Sequence, residues 1–292
     1  MKYALFLGCT IPVRLNNYEI SARKVAETLG IELVDLKGAG CCGSPALWSI
    51  DETSALAIAA WNISMAEDSG LDIMALCTGC SEILEKANKK LKENPQLASK
   101  INQILKNVKR EFKGSIEVKH FIKVLAEDFG IDNIKKFIKK RFKGLKVAVH
   151  YGCHLLRPSD ILKFDNPENP AVLDKLVEIT GAESIYWPLK LWCCGAPILA
   201  IDEKISLSMA RAKIESAKES GADCIVTVCP FCQIQLDALQ PEISRIAGKQ
   251  YNIPVLLYPQ LLGLAMGFTP EELGLDLNKI PADNLLSFLS KV

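Results

Sequence analysis

The 292-residue chain has no apolar run long enough to cross a bilayer. Its longest, VLLYPQLLGLAMGF at residues 255–268, is interrupted by Pro259 and falls short of the roughly 20 residues a spanning helix needs. It has no surplus of charge either. Against 35 Lys and Arg stand 34 Asp and Glu, a net +1, so overall balance implies no nucleic-acid partner. No glycine-rich nucleotide loop occurs, so this chain is not expected to bind FAD or NAD. The opening MKYALFLGC is too short an apolar stretch for a secretory signal, and a cytoplasmic location is the expectation. With 49% hydrophobic residues, the chain can fill a core in each of two domains of about 150 residues without disulfide staples. That leaves its 11 cysteines available for metal ligation in a reducing compartment.

Ten of those cysteines follow one pattern twice. The first copy is Cys9, the pair Cys41 and Cys42, then Cys77 and Cys80; the second is Cys153, the pair Cys193 and Cys194, then Cys229 and Cys232. From pair to closing Cys-x-x-Cys there are 34 intervening residues in both copies, so these motifs recur at an offset of 152. The opening cysteines are 144 apart, which places eight extra residues between Cys153 and Cys193. Neighbours repeat as well: LFLGC with VHYGC, CCGSPAL with CCGAPIL, LCTGCSEIL with VCPFCQIQL. An internal duplication accounts for all of this.

Five thiolates per copy is an informative number. Structural zinc takes four ligands, and an ordinary cubane iron-sulfur cluster takes four cysteines. Five soft ligands, two of them adjacent, point to a larger or distorted iron-sulfur assembly. Zinc alone, or a thioredoxin-like dithiol enzyme using the two Cys-x-x-Cys pairs, are the alternatives at this stage.

The whole framework closely resembles the B subunit of heterodisulfide reductase, a family built from two cysteine-rich domains named for their Cys-Cys-Gly core. The resemblance spans essentially the whole chain. It implies an α/β fold of two duplicated Rossmann-like cysteine-rich domains packed face to face, here residues 1–143, including a helical linker region, and 144–292 with a C-terminal extension. It implies that Cys9, Cys41, Cys42, Cys77 and Cys80 hold one noncubane [4Fe-4S] cluster and Cys153, Cys193, Cys194, Cys229 and Cys232 a second. By the same resemblance, the two clusters reduce the mixed disulfide of coenzyme M and coenzyme B to two thiols, a reaction of methanogenesis. The implied partners are the family's ferredoxin-like C subunit with cubane clusters and its flavin-containing A subunit, with a hydrogenase or formate dehydrogenase in the larger complex. An iron-sulfur relay subunit of a hydroxyacid or succinate dehydrogenase-type complex is the competing expectation.

Local pattern places the cysteines in loops. Tyr3 to Leu7 reads as a buried strand ending at Gly8 and Cys9, and Tyr18 to Leu29 as a helix with Ile20, Val25, Ala26 and Leu29 inward. Ile31 to Leu36 is a strand leading to the first pair, where Gly43 and Pro45 shape the turn. Asp51 is positioned to cap a helix to Asp68, Ile73 to Leu76 forms a strand, and a helix follows from Ser81. Residues 86–143 carry amphipathic stripes, Leu97, Ile101, Ile104, Leu105 and Val108 on one and Phe121, Val124, Leu125 and Phe129 on another. In the second copy, strands are expected at Leu145 to Tyr151, Ser184 to Pro188 and Cys224 to Val228, with a helix from Asp202 through Ser220.

Outside the pentads, His154 beside Cys153 is the candidate for proton transfer, with a hydrogen bond to cluster sulfur as the alternative. Its counterpart is Thr10, so any such role is one-sided. Tyr18 and Tyr151 are weaker proton or pocket candidates. The substrate named by the resemblance carries sulfonate, phosphate and carboxylate groups, which makes Arg14, Arg157, Lys190 and Arg211 candidate anchors. His120 is expected at a helix start or domain junction, and Cys224, whose counterpart is Asp72, as a small core hydrophobe. The lysines crowding residues 86–146 are read as a solvated face or a docking surface for an acidic partner.

Overall fold

The computed structural model describes residues 1–291. Strands β1 (Lys2–Phe6), β2 (Glu32–Asp35), β3 (Ile73–Ala75) and β4 (Val118–His120) form a parallel sheet in the order β2-β1-β3-β4. After β5 (Lys140–Phe142), the strands β6 (Lys146–His150), β7 (Glu183–Ser184), β8 (Cys224–Thr227) and β9 (Val255–Leu257) repeat it as β7-β6-β8-β9. The tail returns as β10 (Leu289–Lys291), antiparallel to β5. The register carries the duplication: Phe6 lies opposite Ala75, and its counterpart His150 opposite Thr227. β1 and β6 are buried beyond their opening lysines, as central strands of a sheet covered on both faces should be. This is the α/β, duplicated, Rossmann-like architecture expected.

Helices start where the caps were read. Asp51 accepts from Ser54 N at 3.1 Å to open Glu52–Ser69, and Asp202 accepts from Ile205 N at 3.0 Å to open Glu203–Glu219. Cys224 is wholly buried in β8, and Val25, Ala26 and Leu29 are buried as expected. Ile20, however, is 41% exposed, and Ile104 and Val108 also face outward, because the buried stripe is narrower than the sequence suggested. The helix after β3 begins at Thr78, three residues before the expected Ser81, which puts Cys80 in its first turn. β7 is shorter than its expected span: Ile185 N still donates to Val147 O at 3.0 Å, and the chain then bends through Pro188, which has no N–H to offer a ladder. Among the described residues no helix is long and apolar enough to cross a membrane.

The linker region holds more than amphipathic helices, since its β4 completes the first sheet. The equivalent β9 opens the apolar run of residues 255–268. HFIKVLAEDFG from His120 and LYPQLLGLAMG from Leu257 occupy the same place, a short strand turning straight into a helix. Several of the lysines between 86 and 146 have partners within the chain: Lys90 with Glu52, Lys92 with Glu117, Lys119 with Asp128, Lys123 with Glu85, and Lys86 over the Trp48 ring at 4.1 Å, while Lys100, Lys106, Lys109 and Lys113 are exposed.

His120 fixes the strand-to-helix turn. Its Nε2 donates to Leu76 O at 2.9 Å while Nδ1 accepts from Ile122 N at 3.2 Å, which is the neutral tautomer. Burial accordingly pushes its pKa down to about 4. Because the folded value lies below the ordinary 6.5, the stabilisation is complete above 6.5 and is lost as pH falls toward 4. Urea unfolding of the apo-protein should therefore show the deficit of His120→Asn relative to wild type shrinking by about 2 kcal/mol between pH 7.5 and 4.5. A constant deficit would mean that His120 is not buried in its neutral form.

Candidate functional site

Parallel strands deliver their loops to one edge of a sheet, and every one of the ten patterned cysteines lies in or directly after a loop at that edge. Cys9 and Cys153 follow β1 and β6, the two pairs follow β2 and β7, and the Cys-x-x-Cys motifs follow β3 and β8. Such carboxyl-terminal edges are where open α/β sheets bind ligands. The two edges face each other. Tyr18 of the first half donates its hydroxyl to Val228 O of the second at 2.8 Å, and the Cys77 and Cys229 thiols adjoin across the junction.

Glycines make room for the sulfurs. Gly8 has φ +66°, and a Cβ there would lie 2.9 Å from Cys80 Sγ; a Cβ on Gly152 would lie 3.3 Å from Cys229 Cβ and 3.5 Å from Thr78 Oγ1. After each pair, the glycine N–H turns back onto the first cysteine, Gly43 N to Cys41 Sγ and Gly195 N to Cys193 Sγ, both at 3.4 Å.

Within each half the thiols form a chain of contacts. Cys41, Cys42, Cys80 and Cys77 succeed one another in the first, with Cys9 near Cys41 at the exposed end. In the second, Cys153, Cys193, Cys194, Cys232 and Cys229 do so, Cys232 Sγ standing 3.4 Å from Cys194 Sγ. Hydrogen bonds from Cys41 and then Cys80 push the Cys42 thiol down to about 3, and those from Cys153 and then Cys194 push Cys193 down to about 2. Among the described residues no three His, Cys, Asp or Glu side chains close on a single point as the ligands of one metal ion would.

His154 stands at the junction. Its Nδ1 lies 3.6 Å from Glu82 Oε2 of the opposite half, a carboxylate that is almost fully buried and whose Oε2 has no hydrogen-bond partner. That carboxylate raises the His154 pKa against the opposing effect of burial. The counterparts of this pair, Thr10 and Ile234, share a cavity of about 390 Å³ with Cys9, Arg14, Val13 and Phe231. Of the proposed anchors, Arg14 alone lines that cavity. Lys190 is paired with Asp174 at 2.6 Å, Arg211 with Glu215 at 3.1 Å, and Arg157 donates to Pro167 O at 2.8 Å. The Tyr18 and Tyr151 hydroxyls are likewise engaged, by Val228 O and by Asp174.

Four residues escaped the reading of the sequence. Glu82 was visible as a charge where the second copy has Ile234, and His150 as a histidine where the first has Phe6. His150 Nδ1 donates to Lys190 O at 3.0 Å, which leaves Nε2 to accept from the Cys232 thiol at 3.2 Å. Asn62 and Lys213 each lie 11 residues after a capping aspartate, and each fastens the loop before a cysteine pair. Asn62 accepts from Gly40 N and donates to Cys41 O, both at 3.0 Å; Lys213 Nζ donates to Leu189 O and, at 3.0 Å, to Trp192 O.

Gly195 offers a test of the loop geometry. At φ +90° an added Cβ would sit 2.6 Å from Ser206 O, whereas Gly221, at φ +83°, has open space around it. Gly195→Ala should cost at least about 2 kcal/mol more than Gly221→Ala in chemical denaturation, since backbone strain is common to both and only one meets a backbone atom. Equal costs would refute this packing.

The family model of the cysteine-rich domain (CCG) matches residues 3–85 and 147–237. The B subunit of the ferredoxin/F420H2-dependent CoB-CoM heterodisulfide reductase of Methanosarcina acetivorans is 40% identical, covering 100% of this chain and 97% of that one. A protein of Archaeoglobus profundus, named for its likeness to the heterodisulfide reductase B subunit, is 38% identical over 93% of each. The 8-methylmenaquinol:fumarate reductase membrane anchor subunit of Wolinella succinogenes is 34% identical over 97% of this chain and 99% of that one. Among solved structures, a hypothetical protein from Helicobacter pylori superposes with a TM-score of 0.76 at 18% identity, covering 96% of this chain and 52% of that one, a likeness of fold.

Proposed function

Since the chain belongs to the family of heterodisulfide reductase B subunits, duplicated CCG cysteine-rich proteins, we propose that it is a catalytic iron-sulfur subunit that reduces the coenzyme M–coenzyme B heterodisulfide to its two thiols within a multisubunit electron-transfer complex. The observation that carries this reading is the meeting of two five-thiol edges at one junction, with a histidine–carboxylate pair beside it.

The residues present fit the implied clusters. The donors are all sulfur, and a chain of five thiols spans more room than four ligands around zinc require. Gly8 and Gly152 keep the sulfur edges clear of Cβ atoms, and the buried Thr78 hydroxyl, beside Cys229, has no nitrogen or oxygen partner. Cys9, Cys41, Cys42, Cys77 and Cys80 would hold one noncubane [4Fe-4S] cluster, and Cys153, Cys193, Cys194, Cys229 and Cys232 the other. When bound, the clusters supply the two electrons that disulfide cleavage consumes.

The chain supplies the rest. The disulfide takes up two electrons and two protons, its S–S bond breaks, and two thiols leave. Arg14 offers a guanidinium to an anionic end of the substrate, while Val13 and Phe231 shield the apolar wall of the same cavity. His154 Nε2 delivers a proton to a departing thiolate sulfur, and Glu82 holds the imidazole at Nδ1 and favours its charged form. Electrons arrive from a ferredoxin-like C subunit with cubane clusters and a flavin-containing A subunit, fed by a hydrogenase or formate dehydrogenase, in the cytoplasm. The fumarate reductase name of the Wolinella relative supports a second reading, an electron-relay subunit without disulfide chemistry.

Anaerobically loaded protein should contain about eight irons and as much acid-labile sulfide, and Cys193→Ala about half. Reduced protein should be reoxidised on mixing with the heterodisulfide; inertness toward it would favour the relay, and stoichiometric zinc without sulfide would remove the clusters.

The proton role predicts a pH signature. Turnover should fall as pH rises through the His154 pKa, and because Glu82 raises that pKa, Glu82→Gln should move the falling limb to lower pH. His154→Ala should slow turnover by about a hundredfold with iron content unchanged. A pH–rate profile identical in wild type and Glu82→Gln would show that the pair does not carry the proton.

A further inference from the structure

The two halves place different charges at one structural position. The helices Glu52–Ser69 and Glu203–Glu219 each open on a capping aspartate, end before Gly70 and Gly221, and lie against the loop that carries a cysteine pair. At the eleventh residue after the cap the first helix has Asn62, a neutral amide bound to Gly40 and Cys41. The second has Lys213, only 1% exposed. Its ammonium donates to the carbonyls of Leu189 and Trp192 and lies 4.6 Å from the centre of the Trp187 ring. These partners are dipoles and a π-face. None is a carboxylate.

A buried ammonium without an anion is costly, and proteins keep one where a counter-charge is near. The titratable groups within electrostatic reach of Lys213 are the thiols of Cys232, Cys194, Cys193 and Cys153, four of the five in the second cage, which become anionic as cluster ligands. Burial lowers the Lys213 pKa, and the four thiols act against that shift. In the first half Arg14 shares a cavity with Cys9, but its side chain is exposed and screened by water.

We propose that Lys213 is the built-in counter-cation of the second thiolate cage and sets a cluster held there at a more positive reduction potential than one held by the first. The physics is direct: each added electron makes a thiolate-ligated cluster more negative, and a fixed positive charge in a poorly polarisable surrounding stabilises the reduced form more than the oxidised one. Asn62 gives the first cage the same loop attachment without that charge. The second half is thus the electron-holding side of the pair, and an electron entering at the first runs downhill to it. This inference rests on the two-cluster reading above and deepens it.

The test is a potentiometric titration of the anaerobically loaded holoprotein, followed by EPR and optical absorbance, with Cys193→Ala assigning the second-half signal by its loss. Two midpoints should be resolved, the higher one vanishing in Cys193→Ala. Lys213→Gln should lower that midpoint so that the reduced-to-oxidised ratio at a fixed potential falls at least tenfold, about 59 mV for one electron, while the first-half midpoint stays in place. Lys213→Arg should restore it, which a merely structural role would not require. A higher midpoint that survives Cys193→Ala overturns the proposal even if Lys213→Gln fails to load iron. So does a fully loaded Lys213→Gln protein with both midpoints unmoved. Disulfide turnover with equal midpoints would sink this inference alone; ordered midpoints in a protein inert toward the disulfide would sink the functional reading alone.

Discussion

The contact between the carboxyl-terminal edges of two parallel sheets is the constraint on which the rest of this molecule depends. Parallel pairing forces each strand to be followed by a crossover, so the loops after β1, β2 and β3 emerge on one side, and those after β6, β7 and β8 on another. Bringing those sides together leaves little room. Gly152 packs against Thr78 and Cys229, and the fully buried Tyr18 donates its hydroxyl to Val228 O. The gathering of thiols at the junction is therefore a property of how two sheets meet.

The backbone repeats more faithfully than the chemistry does. Sheet order, aspartate caps, left-handed glycines after each cysteine pair and N–H contacts onto Cys41 and Cys193 all recur. Yet Phe6 becomes His150, Asn62 becomes Lys213, Thr10 becomes His154, and Glu82 becomes Ile234. The differences gather around the thiols, at the junction of the two halves. One flank of the junction is polar and holds the His154–Glu82 pair. The other is the apolar cavity beside Cys9.

Much of this was legible because the duplication acts as its own control. Two copies with identical spacing between pair and Cys-x-x-Cys fixed which cysteines act together, set Cys224 apart, and marked His154 as unmatched. The fourth strands were harder to see. β4 and β9 are three residues long and follow linkers of different length, so no constant offset revealed that HFIKVLAEDFG and LYPQLLGLAMG are one element. Charge partners were illegible for another reason. Lys190 and Arg211 look like free cations in sequence, but Asp174 and Glu215 hold them, and Glu82 meets His154 only across the folded junction. Asn62 and Lys213 were hidden by a one-residue slip between the two copies, which only the helix caps expose.

The His154–Glu82 pair has a consequence for ancestry. If a single repeat once assembled as a symmetric dimer, two copies of the first would have set Glu82 against Thr10, and two copies of the second His154 against Ile234. Neither arrangement joins an acid to an imidazole. The pair exists only where two unlike repeats meet, so once it had arisen the two repeats could no longer be exchanged for one another.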